Sequence, residues 1–71
     1  MKTAKIVNRM HRIQGQLNAI EKMLESDNHQ EVLIQMKAVI SGIAAMKAEY
    51  IKELINNSSL KDIQSFIDLI N

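Results

Sequence analysis

The chain has no cysteine, no proline and no tryptophan among its 71 residues. Without a thiol no disulfide can staple it, and no thiolate can hold a metal or act as a nucleophile. Without proline, nothing interrupts long helices by removing a backbone donor. Glycine is limited to Gly15 and Gly42, and there is one Phe and one Tyr. That leaves Ile, Leu, Met, Ala, Lys and Glu to dominate, an all-helical composition. No apolar run approaches the roughly 18 residues of a membrane span, and no secretory pattern opens the chain, so a cytoplasmic protein without a membrane partner is expected. Enzyme motifs are missing too: there is no Gly-rich phosphate loop, His-Glu-x-x-His motif or nucleophile elbow. Glu21 and Glu25, like Glu49 and Glu53, are acids at the i,i+4 spacing common on solvated helices. His11 and His29 stand alone in the sequence, and one imidazole falls short of the three or four ligands that zinc or copper takes. The expectation is a non-enzyme with no metal and no cofactor.

What is present is two parallel stripes on one helix. Ile6, Met10, Ile13, Leu17, Ile20 and Leu24 recur at steps of four and three and fall within an arc of roughly 80°. Lys5, Arg9, Arg12 and Gln16 repeat that rhythm about 90° round. The net charge of +1 conceals the bias. Residues 1–22 hold five Lys/Arg against Glu21 alone, a local charge of +4, and residues 23–71 hold four Lys against seven acids, or −3. A basic end of this kind fits nucleic acid, an acidic membrane surface or simply a solvated face.

Three helices are predicted in a single domain spanning 1–71, at about 3–25, 29–55 and 59–70. Asn28 and Glu31 have the spacing of a capping box at the start of the second, and Ser59 with Asp62 repeats it before the third. The second helix carries Val32, Met36, Val39, Ile43, Met46, Tyr50 and Leu54 on one stripe, widened by Leu33, Ile40 and Ile51. Its other side holds Ile34, Ala38, Ser41, Ala45 and Ala48. A helix apolar on so many sides is buried on many sides, and a chain this short cannot cover it alone. At least a dimer is expected, and the small residues on the second face point to a tetramer.

Three segments resemble a known family. They are Asn8-Arg9-Met10-His11-Arg12-Ile13-Gln14-Gly15-Gln16 with Ile20-Glu21-Lys22-Met23-Leu24-Glu25, then Glu31-Val32-Leu33-Ile34-Gln35-Met36-Lys37-Ala38-Val39, then Met46-Lys47-Ala48-Glu49-Tyr50-Ile51. Ile67-Asp68-Leu69-Ile70 matches the end of the last helix. Together they resemble the small helical repressors that respond to copper, nickel or cobalt, and formaldehyde. The resemblance implies an all-α three-helix protomer, an antiparallel four-helix-bundle dimer and a dimer of dimers. It also implies a transcriptional regulator that binds double-stranded DNA through basic residues, here Lys5, Arg9, Arg12, Gln16 and Lys37. The departures are as informative. Family members sense through a cysteine where His29 stands, with a histidine and often a second cysteine where Leu54 and Ser58 stand. Leucine cannot ligate, and a serine hydroxyl suits soft metals poorly. His29 is therefore expected to be a relic of the sensor. Relatives also carry arginines at the positions of His11, Gln14 and Ile40. The alternative expectation is a helical scaffold module that has lost both sensing and DNA binding.

Overall fold

The computed structural model describes residues 1–57 and Ile67. The predicted third helix, 59–70, and its Ser59–Asp62 cap lie outside the described residues but for Ile67. Two helices and no strand occur among those residues: α1, Ala4–Met23, and α2, His29–Asn57. α1 starts one residue later and ends two earlier than expected. α2 runs two residues further.

The break between them is made by short polar side chains. The Ser26 hydroxyl donates to the Met23 carbonyl at 2.7 Å, which satisfies an orphan acceptor at the end of α1. Asn28 Oδ1 accepts from the Glu31 backbone N–H at 3.3 Å, which is the forward half of the predicted capping box. The return half is not made. Glu31 Oε1 instead accepts from Gln35 Nε2 at 3.0 Å, one turn along the helix, and the Asn28 N–H donates to the Ser26 hydroxyl oxygen at 3.4 Å.

The helices pack antiparallel, early α1 against late α2. Their buried side chains are Ile6, Ile13 and Ile20 from α1 and Val32 and Val39 from α2. The contact line, however, is not the one hydrophobicity alone predicts. The line is filled in and continued by half-buried Arg9, Gln16 and Met23 on α1, and by Gln35, Gly42, Met46 and Glu49 on α2. Met10 is 41% exposed, Leu17 49%, Met36 38% and Ile43 44%. Each apolar arc is too wide for one neighbour. The hairpin covers one edge of each arc together with its polar shoulder and leaves the other edge open.

The consequence is a hairpin with two unlike flanks. In an antiparallel pair, residues on the same shoulder of each helix end up on the same side. Met10, Leu17 and Leu24 therefore share a flank with Met36, Ile43 and Tyr50. A groove of about 330 Å³ lies there, lined by Ile6, Met10, Ile43, Met46, Lys47 and Tyr50. The other flank is polar, with a groove lined by Lys2, Lys5, Ile6, Glu49, Lys52 and Glu53. The hairpin measures 51 × 24 × 11 Å, so it is one helix thick. Domains ordinarily bury their apolar faces between two layers, and no second layer exists among the described residues.

The glycines give a direct stability test. A methyl at Gly42 would meet Ile13 at 3.5 Å, an ordinary contact, and one at Gly15 would meet nothing within 4 Å. Neither glycine has a positive φ. Gly42→Ala and Gly15→Ala should each stabilise the chain by about 1 kcal/mol through helix propensity. Thermal melts check this. A lowered midpoint for Gly15→Ala would mean that another backbone packs against that turn of α1.

Candidate nucleic-acid interface

α1 carries four of the five predicted contact residues on its polar shoulder, and the structure divides them. Lys5 is 78% exposed, with Nζ 3.3 Å from Glu49 Oε1. Arg9 donates through Nη2 to that same oxygen at 3.4 Å, yet its side chain is only 28% exposed and that of Glu49 27%. Arg9 Nε is buried and has no acceptor among the described residues. Gln16 is half-buried in the seam. Arg12 is exposed and makes no ion pair among the described residues. It lies two turns beyond Lys5 on the same flank, about 10 Å along the axis.

Lys37 is exposed but sits elsewhere. On α2 it falls roughly 180° round from the line facing α1. Within one hairpin, then, Lys5, Arg9 and Arg12 share a flank and Lys37 does not join them. At the end of the same flank, the Lys2 backbone nitrogen donates to Glu53 Oε2 at 3.2 Å.

Glu49 is the residue that sequence reasoning missed. Paired with Glu53 at i,i+4, it reads as one more solvated acid. The usable signal was its spacing of seven from Gly42 and fourteen from Gln35 on α2. That spacing places it on the face that meets α1, opposite Arg9.

The family model for metal-sensitive transcriptional repressors matches residues 2–71. The chain belongs to the metal-sensitive transcriptional repressor family. No curated protein and no solved structure matches it. The family is one of transcriptional repressors, not of enzymes. Among the described residues, no helix is long and apolar enough to cross a membrane.

For a metal-sensitive repressor, the positions where a sensor would sit need a donor set. His29 is exposed in the first turn of α2, where its backbone N–H donates to the Asp27 carbonyl at 2.9 Å. Leu54 is half-buried on the same helix. Twenty-five residues separate the two, about 38 Å along α2. A site uniting them therefore needs a second chain running antiparallel. Ser58 lies outside the described residues. Among the described residues, no three His, Asp or Glu side chains gather closely enough to hold a metal ion. An imidazole and a hydrocarbon side chain at these positions, in a chain with no thiol, do not fit a soft-metal donor set.

Proposed function

We propose that this member of the metal-sensitive repressor family is a DNA-binding transcriptional regulator that has lost the family's metal/thiol switch. It works as a tetramer: two hairpins close their apolar flanks into an antiparallel four-helix bundle, and two such dimers pair. The observation that carries the reading is the opposition of the two flanks. On α1, Lys5 and Arg12 lie roughly 130° round from Met10, Leu17 and Leu24. Hairpins can therefore bury one flank against each other and keep the cations outside. Lys5 and Arg12 reach phosphates directly. Arg9, Gln16 and Lys37 complete the proposed contact set, Arg9 and Gln16 from half-buried positions. Phosphate contacts of this kind give affinity that is strongly salt-dependent and largely independent of sequence.

His29 is a relic in this reading, and no metal or cofactor acts. The whole chain, 1–71, acts as a single domain, and it works in the cytoplasm.

Fluorescence anisotropy with duplexes from the promoters of its own and neighbouring genes tests the proposal. Binding should weaken steeply with salt and should be indifferent to added copper(I), zinc or nickel. Metal-induced release that His29→Ala abolishes would overturn the lost-switch reading. One observation favours the second reading, a scaffold without DNA binding: Glu49 already engages two of the cations on α1. Capture of a defined protein partner, with no duplex retained at low salt, would establish that reading instead.

A further inference from the structure

Two cations of the basic flank converge on one carboxylate oxygen. Lys5 Nζ and Arg9 Nη2 lie 3.3 and 3.4 Å from Glu49 Oε1. The position of Glu49 is dictated by the fold, because it stands, half-buried, on the face of α2 that packs on α1. Its grip is loose. Strong charge-assisted bonds are about 2.7–2.9 Å long, and arginine binds carboxylates best with two parallel donors. Here Arg9 engages through one nitrogen at a longer distance, and its Nε finds no acceptor among the described residues. A carboxylate oxygen holding an arginine and a lysine engages the same donors, with the same charge sign, that a phosphate oxygen would.

We propose that Glu49 is a built-in competitor for the phosphate backbone. Its carboxylate holds Lys5 and Arg9 against α2, and so it sets how many cations α1 can offer to a duplex. The idea deepens the DNA-binding reading above and rests on it. Two effects act in the same direction. A cation held by Glu49 must leave that carboxylate before it can neutralise a phosphate and release the counterions condensed on the duplex, and that release supplies most sequence-independent affinity. The carboxylate also lies well within a Debye length, about 8–10 Å, of any phosphate at Lys5, and so repels it.

The test compares Glu49→Gln, Glu49→Asp and Glu21→Gln with the unaltered chain. Elution from a heparin column and anisotropy with a duplex of arbitrary sequence are the readouts. Circular dichroism reports the fold of each variant. Glu49→Gln should elute at higher salt and bind the duplex on the order of two- to five-fold tighter at low salt. Its log–log salt slope should steepen by about 0.9 for each freed cation that finds a phosphate. Glu49→Asp withdraws the carboxylate by one methylene without changing net charge, so it should shift both readouts the same way by less. It also keeps the proposal testable if the amide variant folds poorly. Glu21→Gln removes an equal charge from an exposed position away from these cations. If it matches Glu49→Gln, net charge alone explains the gain and the competitor is refuted. Unchanged or weaker binding by both Glu49 variants refutes it too, and makes Glu49 a strut that positions Arg9. A heparin shift with no duplex binding by any protein supports the competitor and defeats the DNA reading instead.

Discussion

A glutamate at Ile43 should leave the chain monomeric and largely unfolded at micromolar concentration. Judged by the hairpin alone, that result is unexpected. Ile43 is 44% exposed, and substitutions at exposed positions usually change stability by only about 0.5 kcal/mol. But none of the described side chains is fully buried, and an 11 Å slab has an inside only where a further layer covers it. If the apolar flank closes on a second hairpin, Ile43 becomes core, and by symmetry the substitution acts twice per dimer. A buried carboxylate with no partner costs several kcal/mol. In an assembly whose protomers are marginal alone, that loss removes folding and association together. Sedimentation velocity and far-ultraviolet circular dichroism, read on the same samples, decide the matter. A folded Ile43→Glu oligomer would show that the apolar flank is not the interface. As a control, Lys52→Glu, on the polar flank, should leave both readings close to those of the unaltered chain.

The same geometry explains what the sequence could and could not reveal. The two described helices were legible because their signals are local. Periodicity, the absence of proline and the Ser26–Asn28 break depend only on near neighbours, and the ends moved by no more than two residues. The seam was less legible. Ile6, Ile13 and Ile20 are buried as their spacing predicts, but hydrophobicity selects Met10 and Leu17 as their companions where the fold selects Arg9 and Gln16. An apolar arc that serves two interfaces looks like one stripe in the sequence. Nothing local says which edge the nearest helix takes. The basic ladder is divided by the fold for the same reason. Its four members are equivalent by rhythm, yet two of them are shoulders of the seam. Glu49 was easy to overlook, because its spacing from Gln35 and Gly42 takes on meaning only with Arg9, forty positions away.

That division of the ladder decides which substitutions probe DNA binding most cleanly. Arg9→Ala would disturb the packing of α1 on α2 as well as the charge, since the stem of a half-buried arginine is packing surface. Lys5→Ala with Arg12→Ala removes cations from the exposed flank, at positions that contribute little to the hairpin's core. Helical content and melting temperature should therefore stay near those of the parent. If two chains of the proposed tetramer face one duplex, the double substitution removes two contacts from Arg12 and up to two more from Lys5, which Glu49 already engages. The log–log salt slope should then fall by roughly 2–4, and affinity at about 0.1 M salt should drop by at least 10-fold. The loss should be nearly the same for promoter and arbitrary duplexes, because phosphate contacts carry no sequence information. Adding Lys37→Ala should weaken binding further only if the assembly brings the back of α2 onto the DNA-facing surface, since a single hairpin keeps it apart. An unchanged slope in a variant that remains folded and tetrameric would mean that the duplex meets some other face, and the flank defined by Lys5 and Arg12 would have to be abandoned as the contact surface.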